Sequence, residues 1–189
     1  KEIKMLKDTL ENPKKPFVVI LGGSKVEDKL DAVEHLVKIA DRILIGGGMC
    51  FTFLKALGYD VGDSIVDDTK IEKSRELYNK YKNQIILPVD IMTGRAFTPN
   101  TTTRLASVDD IRNNEIGMDI GVQTISEFKK ILMDANTIIW NGPLGVFEIK
   151  KFSIGTRKIC EDIAKTRSKS VIGGGDTAAA VIQFGYRDK

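Results

Sequence analysis

The sequence predicts a three-layer, Rossmann-like α/β domain with a mostly parallel sheet and helices on both faces. Three observations lead there. Short apolar runs rich in β-branched residues alternate along the chain with segments whose apolar residues recur every three or four positions. Four of those runs end in a glycine-rich turn. With 189 residues, 42% of them apolar, the chain is long enough to bury a core of its own without a disulfide framework. Strands alternating with helices give parallel pairing through helical crossovers.

Taken in order, Ile3, Leu6 and Leu10 stand at helical spacing and Asn12-Pro13 stops them, so residues 1 to about 11 are expected to form a short amphipathic helix. Phe17 to Leu21 is apolar without alternation, the mark of a strand buried on both faces, and Gly22-Gly23 ends it. Val26, Leu30, Val33, Val37 and Ala40 make one stripe of the next helix. Ile43-Leu44-Ile45 is a second strand, ended by Gly46-Gly47-Gly48 and followed by a helical segment that Gly58 would cap. A helix over about 67–83 leads into a strand over 84–89. From 90 to 121 the periodicity disappears among Gly, Thr, Pro and Asn, which predicts a functional loop or an irregular small sheet. Thr124-Ile125-Ser126-Glu127 has capping-box spacing ahead of Phe128, Ile131 and Leu132. A strand over 137–140, a helix over about 153–166 and a strand over 170–172 follow, and Asp176 is expected to N-cap a last helix that closes at Gly185.

Composition narrows the function. A net charge of +3, from 29 basic and 26 acidic residues with no long basic patch, does not mark a nucleic-acid binder. The single histidine, His35, excludes multi-histidine metal sites and reads as a structural or solvated helix residue. Cys50 and Cys160 form no C-x-x-C and read as buried thiols of a reduced protein. No apolar run approaches the roughly 20 residues that span a bilayer, and no secretory leader follows Lys1, so a cytoplasmic location without membrane partners is expected.

The glycines carry more. In a parallel sheet all carboxyl ends share one edge, so Gly22-Gly23, Gly46-Gly47-Gly48, Asn141-Gly142-Pro143 and Gly173-Gly174-Gly175 gather where open α/β sheets bind ligands. Structural turns alone would explain one or two such sequences; four on one edge favour a nucleotide or phosphate site. Lys25 and Lys29, at i and i+4 after Gly22-Gly23, would add two ammonium groups from one side of the first turns of a helix. Asp176 fits an N-cap, a Mg²⁺ contact beside nucleotide phosphates, or both. Glu148, a carboxylate in an apolar and glycine-rich turn, is placed to accept from ribose hydroxyls, while Phe97 and Phe147 fit either a base or simple packing. Neither G-x-x-x-x-G-K-[ST] nor G-x-G-x-x-G occurs, which disfavours a P-loop enzyme and a nicotinamide-dependent dehydrogenase.

At these residues the sequence resembles the phosphoglycerate kinase family. The motifs are Gly22-Gly23-Ser24-Lys25-Val26 with Asp28-Lys29, Gly46-Gly47-Gly48-Met49 with Phe51-Thr52-Phe53-Leu54, Leu87-Pro88-Val89-Asp90, Trp140-Asn141-Gly142-Pro143-Leu144-Gly145-Val146-Phe147-Glu148, and Gly173-Gly174-Gly175-Asp176-Thr177-Ala178. The resemblance implies phosphoryl transfer between 1,3-bisphosphoglycerate and MgADP, giving 3-phosphoglycerate and MgATP. It implies that Lys29 contacts the phosphates and that Lys25 stabilises the transferring group. Gly23, Ser24, Gly47, Gly48, Phe97, Gly117, Met118, Asn141, Pro143 and Val146 would line the nucleoside and phosphate pocket. Glu148 would hold the ribose, Gly174 and Gly175 would form the phosphate turn with Gly175 part of the catalytic set, and Asp176 and Thr177 would meet Mg²⁺ and phosphate. Such chemistry needs positioning and charge neutralisation rather than a covalent intermediate.

The sequence departs from that pattern mildly at Ser24, where Ala is common, and at Met118, where Leu is common. The resemblance covers only the carboxyl-terminal, nucleotide-binding half of the family. Residues 1–12 resemble its interdomain helix, and the family's phosphoglycerate-binding half and its final glycine-rich segment have no counterpart here. The expectation is one nucleotide-binding domain over 1–189 that binds ADP or ATP, has little activity alone, and belongs to a monomeric full-length protein. Two other classes stay open on the sequence: a fragment that serves only as an interaction surface, and a nicotinamide-binding enzyme.

Overall fold

The computed structural model describes residues 10–186. The helix expected over 1–11 lies outside them except for its last two residues.

Five parallel strands make the main sheet: β1 (Phe17–Leu21), β2 (Arg42–Ile45), β3 (Ile85–Ile86), β7 (Thr137–Asn141) and β8 (Lys169–Gly173), in the order β3-β2-β1-β7-β8. β1 is central and every residue in it is buried, as its unbroken apolar run predicts. Its side chains divide between two cores. Phe17, Val19 and Leu21 pack with α1 (Val26–Leu36), α2 (Cys50–Ala56) and α3 (Ile71–Tyr81); Val18 and Ile20 pack with α4 (Val122–Met133), α5 (Ile154–Ala164) and Val181 of α6 (Gly175–Gln183). The predicted helices on both faces are thus present. Gly58 and Gly185, at φ +95° and +82°, sit just past α2 and α6 and end them as expected.

The stretch over 90–121 is ordered as a second, antiparallel sheet, β5-β4-β6, with β4 over Asp90–Gly94, β5 over Arg104–Ser107 and β6 over Ile116–Ile120. Its strands escaped an apolar-periodicity reading because a polar cluster holds them. The buried Glu115 accepts from Arg104 Nε at 2.9 Å and Nη2 at 2.6 Å, from Thr93 Oγ1 at 2.7 Å and from Arg112 N at 2.8 Å. The expected strand over 84–89 is cut to β3, because Pro88 has no N–H for a ladder and the chain there crosses to the second sheet.

Helix starts also differ from expectation. α4 begins two residues before Thr124, with Gly121 as N-cap and no side-chain bond of its own. The capping group comes from a distant strand: Asp90 accepts from Gln123 N at 3.0 Å, Thr124 N at 2.9 Å and Thr124 Oγ1 at 2.6 Å. Asp176 is not an N-cap. Gly174, at φ +86°, takes that position, and Asp176 lies in the first turn of α6.

Candidate functional site

Across the sheet, Leu21 pairs with Ile45 on one side and Asn141 on the other, and Asn141 pairs with Gly173. Four strands therefore run out at one level, and the four glycine-bearing turns line one edge. Connections leave β1 toward β2 and β3, then pass back to β7 and β8, so they diverge between β1 and β7. In open α/β sheets that crevice is where ligands sit.

The turns interlock through their backbones. Gly22 N donates to Asn141 O at 3.0 Å, Gly23 N to Pro143 O at 2.9 Å, and Met49 N to Gly23 O at 2.8 Å. At Gly142 only glycine fits: its φ is +104°, and a Cβ there would lie 2.2 Å from Gly22 O. The same residue is pinned from two further sides. Trp140 Nε1 donates to Gly142 O at 2.8 Å, and Gly142 N donates to Thr177 Oγ1 at 2.6 Å.

Beside this edge opens a cavity of about 200 Å³. Gly23, Ser24, Gly47, Gly48, Phe97, Gly117, Met118, Pro143, Val146, Glu148 and Asp176 line it, so eleven of the residues singled out in the sequence converge on one space. Phe97 lies at its mouth, 54% exposed. Phe147 does not join it; that ring is buried and meets Phe184 edge-on at 6.5 Å. His35 is a surface helix residue whose Nδ1 donates to Asp31 O at 2.8 Å. Both cysteines are free and buried, and burial pushes the Cys160 thiol up to about 12.

Of the remaining candidates, Lys29, Asn141, Gly174, Gly175 and Thr177 gather at the ends of β7 and β8, and Lys25 does not. Lys29, one turn into α1, donates from Nζ to Asn141 Oδ1 at 2.6 Å and Asn141 O at 2.9 Å. Burial lowers its ammonium to about 8, against the opposing charge of Asp28. Asn141 Oδ1 also lies 2.9 Å from where a Cβ on Gly174 would be, and nothing stands within 4 Å of a Cβ on Gly175. The backbone at Gly175 is therefore open to close approach, and the side chain of Asn141 stands between Gly174 and Lys29. Lys25 is not in the helix, contrary to the i, i+4 expectation; it is the N-cap of α1 and borders a separate depression with Glu27, Asp28 and Asp67. Thr177 is fully buried, its hydroxyl engaged by Gly142.

Asp119 was not legible as a cavity residue. It lines the floor, 4% exposed, in a strand where a polar residue between Met118 and Ile120 read only as part of an aperiodic stretch. Ile65, Cys50 and Phe51 complete the apolar wall, and nothing in their spacing pointed to a ligand.

Comparison with known proteins gives the family. The family model for phosphoglycerate kinase matches residues 1–189. The chain belongs to the phosphoglycerate kinase family. It is 48% identical over 190 residues to phosphoglycerate kinase from Spiroplasma citri and 46% identical to that from Enterococcus faecalis, matching all of this chain and 46% and 48% of those proteins. The structure of phosphoglycerate kinase from Coxiella burnetii superposes with a TM-score of 0.95 at 38% identity, over 99% of this chain and 49% of that one. The enzyme from Pyrococcus horikoshii gives 0.85 at 29% identity, over 97% and 48%. The chain thus spans about half the length of the family members it matches. Among the described residues no helix is long and apolar enough to cross a membrane.

Proposed function

We propose that this chain is the ADP- and ATP-binding half of a phosphoglycerate kinase, forming a single domain whose cavity takes the nucleoside and whose turns over α6 take the phosphates. The observation that carries this reading is the placement of Lys29. A partly buried ammonium stands at the switch point of the sheet, bonded to Asn141, whose side chain abuts the glycine turn that opens α6.

In this reading the donors and charges divide by ligand group. Met118, Ile65 and Phe97 give the base an apolar slot, and Glu148 accepts from the ribose hydroxyls. Gly174, Gly175 and the following N–H groups of α6 face the phosphates, and Lys29 exchanges Asn141 for phosphate oxygen. Asp176, an exposed carboxylate at the cavity rim, fits a Mg²⁺ ion, which binds through one or two carboxylates together with phosphate oxygens and water. When bound, that ion neutralises charge on the transferring phosphates. Lys25, which the resemblance assigns to the transferring group, borders a separate depression with Glu27, Asp28 and Asp67, so that contact would require its side chain to swing toward the phosphates.

The reaction breaks the bond between the acyl oxygen of 1,3-bisphosphoglycerate and its phosphorus. It forms one from a terminal oxygen of ADP to the same phosphorus, leaving 3-phosphoglycerate and ATP. Everything this chain offers is positioning and electrostatic stabilisation, which is what a loose phosphoryl-transfer transition state requires. The phosphoglycerate site would lie in the half of the protein outside this chain, so the chain alone is expected to bind nucleotide and turn over little. Calorimetric titration with MgADP, followed by an assay with and without the other half supplied separately, tests both parts. Binding without turnover supports the proposal; turnover by the chain alone contradicts the division of labour.

A further inference from the structure

Under the proposed nucleotide site lies a carboxylate to which the chemistry above gives no task. Asp119, near the end of β6, accepts from Ile120 N at 2.9 Å and, across to the first turn of α5, from Gly155 N at 2.9 Å. Within the described residues no basic side chain is among its partners, and burial pushes its carboxyl well above the usual carboxylate range, with the two amide donors opposing that shift. A buried carboxylate with no basic partner in the proposed anion-binding crevice works against both folding and binding unless it builds something there.

What it builds is seen in its neighbours. A Cβ on Gly145 would lie 2.4 Å from Asp119 Oδ1, and a Cβ on Gly155 would lie 2.3 Å from the same atom. The carboxylate therefore fills a gap between segment 144–148 and α5 that two glycines leave open. That segment carries Val146 and Glu148 into the cavity. Two further bonds fix it: Leu144 N donates to Thr156 Oγ1 at 3.1 Å, and Val146 N donates to Met118 O at 2.8 Å. The segment is thus docked on β6 and on the start of α5 by groups that line up beneath it.

We propose that Asp119, together with Thr156, is a positioning residue that sets the height of segment 144–148 so that Val146 and Glu148 meet the nucleoside. The inference rests on the nucleotide-binding reading above. Asp119→Asn keeps the size of the side chain but turns an NH₂ group toward one of two N–H donors, so the brace is lost and one donor is left facing a donor. Thr156→Val removes the second hold without touching the cavity.

The test is titration of the 189-residue chain with AMP and with MgADP, alongside thermal melting, for the wild type, Asp119→Asn, Thr156→Val and Thr156→Ser. Asp119→Asn and Thr156→Val should weaken AMP and MgADP by a similar factor, about tenfold, because the loss falls on the nucleoside. Thr156→Ser should restore wild-type affinity. Lys29→Ala, by contrast, should weaken MgADP more than AMP. Lowered melting temperatures with unchanged affinities would overturn the positioning role. Should Asp119→Asn fail to fold, the Thr156 pair still decides. A wild type that binds neither ligand would instead overturn the nucleotide reading on which the inference stands.

Discussion

Lys29 Nζ lies 2.6 Å from Asn141 Oδ1 and 2.9 Å from Asn141 O, tying the helix that follows β1 to the last residue of β7 across the switch point. The contact holds an ammonium group at the carboxyl edge of the sheet, and burial there lowers Lys29 to about 8. A bound phosphate favours the charged form more than two neutral amide oxygens do.

MgADP affinity should therefore fall as pH rises through about 8, as Lys29 loses its proton. Lys29→Met should bind weakly and lose that dependence. The folding linkage has the opposite sense: the unfolded chain, with Lys29 near its ordinary 10.5, holds more protons than the folded one, so this group's contribution to stability rises between about pH 8 and 10.5. Calorimetry across pH, paired with urea melts of the free chain, measures both.

Glu115 works in the acid range. Its hydrogen bonds from Arg104, then from Arg112 N and Thr93, hold it down to about 2 despite its burial. The carboxylate's contribution to stability is complete above its ordinary 4.5 and is lost as pH falls toward 2. Arg104→Leu strands Glu115 without its cation and should destabilise the chain by about 2–4 kcal/mol, the exposure of Arg104 keeping the effect below that of a fully buried pair. Urea denaturation at neutral pH reads the loss.

Asp90→Ala removes the remote cap of α4 and leaves Thr124 without its carboxylate partner. The expected cost is about 2 kcal/mol, or a fall of roughly 4–8 °C in melting temperature for a chain of this size. Thr124→Val keeps the bonds from Gln123 N and Thr124 N to Asp90 but leaves Val89 N and Asp90 N without the hydroxyl that accepts from them, and should cost a comparable amount.

Gly142→Ala strikes the site rather than the core. A Cβ 2.2 Å from Gly22 O forces the two turns apart, at a residue whose φ is already in the left-handed region. Loss of MgADP binding with the far-ultraviolet spectrum retained is the expected result, and Gly175→Ala, where a Cβ meets nothing within 4 Å, should preserve the fold and test backbone approach alone.

The main sheet was legible because its three inner strands, β2, β1 and β7, are buried almost throughout, which writes them as apolar runs, and because glycine follows four of the five strands. The second sheet was legible only as one of two alternatives, an irregular small sheet, and its individual strands were not, since Glu115, Arg104 and Thr93 hold it by polar contacts across 11 and 22 residues of sequence. The same distance hid the cap of α4: Thr124-Ile125-Ser126-Glu127 has the right local spelling, but Asp90, 34 residues earlier, supplies the bond. At the start of α6, Asp176 lost the cap to Gly174 because a left-handed glycine brings the chain in from another direction. Most cavity residues were legible through family motifs, whereas Asp119 was not, because its role depends on two glycines that leave room for it.

The central claim is that this chain holds a working nucleotide site built on Lys29. It is tested most directly by titrating MgADP into the wild-type chain and into Lys29→Ala at pH 7. Saturable binding by the wild type, weakened about tenfold or more in the variant, is the predicted result. Absence of binding by the wild type, or equal affinity in the two proteins, would contradict it.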